Sequence, residues 1–238
     1  MRHSIEAHRH VGVCCVASTT LSHLLRLEAP RLSHTEITFF NQLVFDTPQL
    51  RHFISRTAAF RAAYQARISC DTHAVDVSLY PRNRTEELKL SISCKPLDWQ
   101  ISSLAQVCST SFPPLPTLER LDIHIPKDRN LLPRWPDDME DTQWLDLLLP
   151  FTSVKDLDLS EASVSFVAPA LQELSGERVT EVLPALQNLF FTAPMPSGPI
   201  KEAIRKFIAA RQLSGCPVTV RHRDNEDQGY KDWEVGYR

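Results

Sequence analysis

Three aspartates in the second half of the chain have a spacing that would suit acid–base or metal chemistry. Asp122 alternates with Leu121 and Ile123, and Asp156 and Asp158 stand on either side of a leucine. Alternate side chains of an extended strand share one face, so in neighbouring parallel strands Asp122 would lie beside Asp158 or Asp156. Paired carboxylates can act as general acid and base or bind Mg²⁺. A solvated sheet face or a partner-binding face uses the same residue types, and the sequence favours those two interpretations over catalysis.

Other motifs for chemistry are weaker. Potential metal ligands occur in two places: His3, His8, His10, Cys14 and Cys15 near the N-terminus, and the acidic run 137–141. The first group does not have a usual zinc spacing. The second is typical of a solvated loop that also favours the start of a helix near Thr142. The six glycines are too far apart for a phosphate-binding loop, and no Gly-x-Ser-x-Gly nucleophile motif occurs. We therefore expect no cofactor, no metal and no enzyme activity.

Composition indicates an ordinary globular protein. Of the 238 residues, 42% are apolar and 23% charged, and the net charge of −3 gives no field that would attract nucleic acid or an anionic membrane. No apolar run approaches the ~18 residues of a membrane span. None of the six cysteines forms a Cys-x-x-Cys pair. Buried free thiols in the cytoplasm or nucleus are the expectation.

Apolar runs of period two alternate with amphipathic stretches along most of the chain. We predict strands at 35–40, 50–55, 75–80, 88–93, 118–125, 154–160, 186–192 and 218–221. We predict helices at 98–108, 142–149, 168–174 and 199–213. A strand, a helix and a second strand in that order imply a parallel pair with a right-handed crossover.

A short phrase recurs among these strands: leucine, two residues, leucine, one residue, an apolar residue. Its anchors are Leu90, Leu121, Leu157 and Leu189, at intervals of 31, 36 and 32 residues. This is the strand signature of a leucine-rich repeat. The predicted fold is an α/β solenoid of about six irregular repeats, with a curved parallel sheet on one side and helices on the other. The usual Asn position holds Pro126, Ala162 or Pro194, which predicts an uneven arc.

The repeat pattern divides the chain into three parts. Residues 1–20 are predicted to be a poorly ordered lead-in, 21–222 the leucine-rich-repeat-like domain, and 223–238 a tail that caps the last repeat. If the leucines face the core, the residues between them form a candidate partner-contact face. These residues are Arg120, Asp122, His124, Asp156, Asp158, Asn188 and Phe190. Arg120 and Phe190 are its expected anchors because arginine and aromatic side chains dominate binding energy at interfaces.

Seven segments carry a family resemblance. They are residues 38–50, 98–108, 113–122, 144–151, 168–174, 180–188 and 207–215. With these segments, which lie across residues 21–222, the chain resembles the leucine-rich-repeat region of the F-box-type proteins that are expanded in mushroom-forming (basidiomycete) fungi.

The resemblance implies that the repeats present a substrate for ubiquitin ligation. In such proteins an N-terminal F-box docks the Skp1 adaptor of a cullin-based ligase. Residues 1–20 show no three-helix apolar pattern, so we expect a protein-interaction module that lacks its F-box and binds an unknown protein target. Skp1 is an expected partner only if an F-box exists upstream. The alternatives are a structural remnant without a ligase role, and an enzyme that uses Asp122, Asp156 and Asp158.

Overall fold

The protein folds around one mixed β-sheet. The computed structural model describes residues 10–15, 34–40, 48–83, 87–93, 98–126, 141–174, 176, 178–192 and 197–222. The strands are β1 (His10–Cys15), β2 (His34–Phe40), β3 (Ala63–Cys70), β4 (Ala74–Pro81), β5 (Glu87–Ser93), β6 (Arg120–His124), β7 (Asp156–Leu159), β8 (Asn188–Phe191) and β9 (Thr219–His222). Their order across the nine-stranded sheet is β1-β2-β5-β4-β3-β6-β7-β8-β9.

Helices cover one side of this sheet. They are α1 (Pro48–Arg56), α2 (Ala58–Arg61), α3 (Asp98–Ser111), α4 (Asp141–Leu148), α5 (Glu161–Gln172), α6 (Arg178–Glu181) and α7 (Pro199–Leu213). Successive long helices touch in the order α1, α3, α4, α5, α7. Their buried side chains and those of the strands belong to one hydrophobic cluster. The described helices therefore form a single layer against one face of the sheet.

The predicted α/β class is confirmed, and the sheet, which was predicted to be parallel, is mixed but mostly parallel. Six of the eight strand pairings are parallel, and β4 is antiparallel to both of its neighbours. From β6 to β9 each strand lies beside the preceding one, as in a solenoid. Strands β3, β4 and β5 instead appear in reversed order, which a regular leucine-rich-repeat solenoid does not do.

A tight turn explains the reversal. The Asp71 side-chain oxygen Oδ1 accepts hydrogen bonds from the backbone N–H groups of His73 and Ala74, at 2.7 and 2.8 Å. The Asp71 N–H in turn donates to the Ala74 carbonyl at 2.9 Å. An aspartate that binds the backbone two residues ahead mimics a turn and reverses the chain. Hence β4 returns antiparallel to β3 rather than crossing over through a helix.

The reversal also changes the repeat assignment. Leu121, Leu157 and Leu189 are register partners on adjacent strands, as the repeated phrase requires. Leu90 pairs instead with Val77 of β4 and Ile37 of β2, so the fourth anchor is not equivalent to the other three. The regular part of the pattern covers β6 to β8.

Several predicted elements need correction. Residues 50–55 were expected to be a strand, but Leu50 and Ile54 are buried at helical spacing in α1. Strand β3 was not predicted, because its buried positions include the small residues Ala63 and Ala66, which give a weak alternation signal. Residues 10–15, assigned to the lead-in, form β1 and pair with β2. The tail 223–238 lies outside the described residues.

The predicted helix 199–213 is confirmed at both ends, with Pro199 in the first turn. Helix α5 starts at Glu161 rather than 168, because Ser160 caps it by accepting a hydrogen bond from the Ser163 N–H. The same two serines join α5 to the sheet. Ser160 Oγ accepts from the Ile125 N–H at 3.0 Å, and Ser163 Oγ donates to the Ile123 carbonyl at 2.9 Å.

A fully buried arginine joins the elements around β8 and β9. Arg211 of α7 donates from Nε to the Cys216 carbonyl at 3.2 Å and from Nη1 to the Val179 carbonyl at 3.0 Å. Its Nη2 donates to the carbonyls of Pro184 and Leu186, at 3.4 and 3.0 Å. Burial lowers the pKa of Arg211, and among the described residues no carboxylate pairs with it. The guanidinium thus joins α6, the segment before β8 and the turn before β9.

The segment that Arg211 holds contains a strained residue. Leu183 is fully buried and has a φ of +50°, in the left-handed region. That conformation costs an L-residue roughly 1–2 kcal/mol, and the surrounding contacts must offset this strain. Arg211 supplies such contacts on both sides, at Val179 and Leu186.

We expect the change Arg211→Met to lower the free energy of unfolding by about 3 kcal/mol. Methionine fills a similar volume, but the buried carbonyls of Val179 and Leu186 lose their donors, at roughly 1–3 kcal/mol each. Urea denaturation followed by circular dichroism measures the change. Arg205→Met, at an exposed position of the same helix, is the control and should shift stability by less than about 0.5 kcal/mol. Equal stability of the two variants would contradict the assigned role.

Candidate functional site

The face of the sheet opposite the helices carries ordered rows of polar side chains. We call it the polar face and define it by these residues: His34, Glu36, Gln65, Arg67, Asp76, Tyr80, Glu87, Lys89, Arg120, Asp122, His124, Asp156, Asp158, Asn188, Phe190, Thr219 and Arg221. Their neighbours in sequence, such as Leu121, Leu157 and Leu189, are buried beneath the helices. The alternation of β-strand side chains separates the two sets.

The seven residues proposed from the sequence all lie on this face. Arg120, Asp156 and Asn188 are register partners across β6, β7 and β8. The second row is Asp122, Asp158 and Phe190. His124 is exposed at the end of β6, where it pairs in register with Ser69 of β3. Of the two neighbours expected for Asp122, the register selects Asp158.

Each of the two facing carboxylates is held by an arginine. Asp122 Oδ2 accepts a hydrogen bond from Gln65 Nε2 and lies 3.6 Å from Arg67 Nη2, both from β3. Asp158 Oδ2 lies 3.2 Å from Arg120 Nη2 of β6. The Asp158 side chain is only 5% exposed. Burial without such a partner would be costly for a carboxylate, so these contacts make the pair a structural part of the sheet.

The remaining aspartate of the group has a different environment. Asp156 Oδ1 accepts a hydrogen bond from Asn188 Nδ2 at 2.8 Å, and both side chains are half-buried. This bond links β7 to β8, whereas the Arg120–Asp158 pair links β6 to β7. Side-chain contacts on the polar face therefore join β6 to β7 and β7 to β8.

A lysine joins three strands at the other end of the face. Lys89 Nζ of β5 lies 3.3 Å from Glu36 Oε1 of β2 and 3.9 Å from Asp76 Oδ1 of β4. Burial raises the pKa of Asp76 from its usual 3.8 to about 6; Lys89 opposes this rise, and the carboxylates of Asp71, Glu36 and Glu87 add to it. One cation between two carboxylates thus leaves Asp76 only partly stabilised as an anion.

Beside this lysine, the Glu87 carboxylate lies between Tyr80 and His34. Tyr80 donates its hydroxyl hydrogen to Glu87 Oε1 at 2.8 Å, and His34 Nδ1 lies 3.0 Å from Glu87 Oε2. Burial raises the pKa of Tyr80, and the Glu87 carboxylate raises it further. The tyrosine therefore acts as a hydrogen-bond donor in a row that runs from β2 to β4.

We did not identify from the sequence the residues of the polar face that lie on β2, β3, β4 and β5. Asp76 and Lys89 sit between buried apolar residues in segments that were predicted as strands, so the alternation that located Asp122 was also available for them. Gln65 and Arg67 gave no such signal because β3 itself was not predicted. The partners of Asp122 therefore came from a strand that the sequence did not indicate.

Other candidates for chemistry find little support. In the described part of the chain, no three metal-ligating side chains cluster. His3, His8 and residues 137–140 lie outside the described residues. Cys70 and Cys108 are buried free thiols, and burial raises the pKa of both, which disfavours a reactive thiolate. Within the same ranges, no helix has the length and apolar character needed to cross a membrane.

Comparison with known proteins adds no relative. No family model matches the chain, and neither a curated protein nor a solved structure is significantly similar to it. The F-box resemblance drawn from the sequence therefore stays a prediction, and the polar face has to be interpreted from its own geometry.

We expect Asp76→Asn to stabilise the protein at neutral pH. Because the folded-state pKa of Asp76 lies above its unfolded value, the native state binds more protons between pH 4 and 6, and stability falls as the pH rises through that window. At about 1.4 kcal/mol per pKa unit, removing the charge should raise the free energy of unfolding at pH 7.5 by about 2 to 3 kcal/mol.

Urea denaturation at pH 4.0 and pH 7.5 tests this expectation, with little gain expected at the lower pH. Asp146→Asn, at an exposed position of α4, serves as the matched control and should behave like the wild type at both values. A gain that is no larger at pH 7.5 than at pH 4.0 would show that Asp76 is not the group responsible.

Proposed function

We propose that the chain is a protein-recognition module of the leucine-rich-repeat type that binds its target through the polar face. By the resemblance, its setting is the substrate-recognition part of an F-box-type ubiquitin-ligase adaptor. The observation that supports the proposal is the division of the sheet between one helix-covered face and one polar face. A solenoid uses the same division to present an extended binding surface.

The rigidity of the polar face favours binding. Cross-strand contacts such as Arg120–Asp158 and Asn188–Asp156 hold the side chains in fixed positions before any partner arrives. A surface that is already ordered loses less conformational entropy when it binds, so more of the contact energy appears as affinity.

Exposure separates the residues that could contact a partner from those that support them. Asp158 is almost fully buried, and the side chains of Asp122 and Arg120 are 14% and 22% exposed. Phe190 and Asn188 are half-buried, so part of each is accessible. We therefore assign contact to Phe190 and its neighbours, and support to the aspartates of the face.

A ligase role would need a second part. Recruitment of Skp1 requires an F-box, which would have to lie upstream of residue 1 or on another chain. Free buried thiols fit the reducing cytoplasm or nucleus in which such ligases work. The proposal thus has two separable parts, target binding and delivery.

Site-specific photocrosslinking tests target binding. p-Benzoylphenylalanine replaces Phe190 in one variant and Phe166 in another, because Phe166 is also half-buried but lies on α5 in the helix layer. In cells that express the chain, position 190 should yield discrete adducts with another protein, and position 166 should not. The Phe190→Ala variant should no longer bind the protein that is crosslinked from position 190. Its loss of thermal stability should not exceed that of Phe166→Ala.

Two results would count against the proposal. Identical adducts from both positions would place binding elsewhere, and no adduct from position 190 would support the structural remnant. An F-box fused ahead of residue 1 tests delivery separately, because the crosslinked protein should then gain ubiquitin. A target that binds but is never ubiquitylated would remove the ligase setting and leave recognition intact.

A further inference from the structure

Charges on the polar face are paired almost throughout. The cations Lys89, Arg67 and Arg120 each lie within 3.9 Å of a carboxylate on a neighbouring strand. The lysine and the two arginines of the polar face from β2 to β7 are therefore already paired with carboxylates. A partner that docks there would have to compete with pairs that are already formed.

Arg221 of β9 is the exception within the described ranges. Its side chain is exposed, and no ion pair or hydrogen bond joins it to another described residue. Its register partner is Phe190, which in turn faces Asp158. Strands lie ~4.8 Å apart, so Asp158 is about two strand spacings away, and it is already bound to Arg120.

The described residues next to Arg221 on β8 and β9 are apolar or neutral. Phe190 lies beside it, and Asn188 and Thr219 occupy the preceding row of the same two strands. Asn188 already donates to Asp156. An exposed guanidinium next to an aromatic ring, flanked by neutral polar groups, suits a carboxylate that adjoins an apolar side chain.

We propose that the β8–β9 end of the polar face is a subsite for an acidic protein segment, in which a carboxylate pairs with Arg221 and an adjacent apolar side chain packs on Phe190. This inference rests on the proposed function and adds the chemistry of its target.

A nucleic acid is the less suitable polyanion. The polar face carries six carboxylates, at Glu36, Asp76, Glu87, Asp122, Asp156 and Asp158, against the four cations Arg67, Lys89, Arg120 and Arg221. A phosphate backbone needs several cations in a row, whereas a short acidic peptide needs only one. Among the described residues of the polar face, Arg221 is the one cation without a carboxylate partner, which favours the peptide.

Titration of the full chain with three capped hexapeptides tests the subsite. One alternates Glu with Phe and Val, and the other two carry Lys or Gln in place of Glu. Backbone amide shifts of the ¹⁵N-labelled protein report the location and the affinity. The Glu peptide should shift the amides of residues 189–191 and 220–222 and bind about fivefold more tightly than the Gln peptide, as expected for one exposed ion pair.

Charge reversal supplies the control. Arg221→Glu should abolish the preference for the Glu peptide, and Arg205→Glu, an exposed reversal in the helix layer, should preserve it. The preference should also vanish at 0.5 M salt, because exposed pairs are screened. Circular dichroism melting curves of both variants should match the wild type, since Arg221 and Arg205 are exposed.

Four results would overturn the inference. The Lys peptide could bind at least as tightly as the Glu peptide, or Arg221→Glu could leave the preference unchanged. Poly(U) RNA could displace the Glu peptide, or sedimentation could show self-association that Arg221→Glu abolishes, which would make a second copy the occupant. Crosslinking from position 190 distinguishes a failure of this inference from a failure of the proposed function. If position 190 yields adducts but the chain shows no preference for the Glu peptide, the chain still recognises a protein and only the acidic nature of the bound segment is wrong.

Discussion

Helices pack against only one side of the sheet in the described structure, and this one-sided cover imposes the alternation of apolar and polar residues from β2 to β8. Leu121, Leu157 and Leu189 must be apolar because they meet the helix layer. The residues between them must be compatible with water or with a partner. The polar face, its cross-strand pairs and its candidate subsite all follow from that constraint, since a second helix layer would have required apolar residues on both faces.

The sequence predicted well those elements whose signal is local. Helix α7 repeats its apolar residues at helical spacing between a proline and a glycine, and β6 to β8 place a buried apolar residue at every second position. The sequence failed where the signal was short or weak. Residues 50–55 contain only three apolar side chains, Leu50, Phe53 and Ile54, and so short a segment does not decide between the helical and the strand period. Strand β3 buries alanines, which contribute little to an alternation pattern.

The candidate site was predictable for a similar reason and only in part. Strand alternation placed Asp122, Asp158 and Phe190 on one face, because that inference needs only the period of a strand. The pairing of strands is a long-range property, so nothing near Asp122 indicated that Gln65 and Arg67 would hold it. Those contacts are the observation behind the proposal that the aspartates support the residues beside them.

The reversed β3–β4–β5 segment has a consequence for how the chain folds. From β6 to β9 each strand pairs with the next one along the chain, so every step closes a loop that holds one or two of the described helices. Strand β2 pairs with β5 across an intervening stretch that contains β3 and β4, which demands a longer loop closure. Because folding slows as contacts become less local, the C-terminal four strands should assemble first and offer the edge of β6 as a template for β3. The ribosome synthesises the N-terminal strands first. These strands, which fold more slowly, are therefore present before β6, whose edge they need as a template.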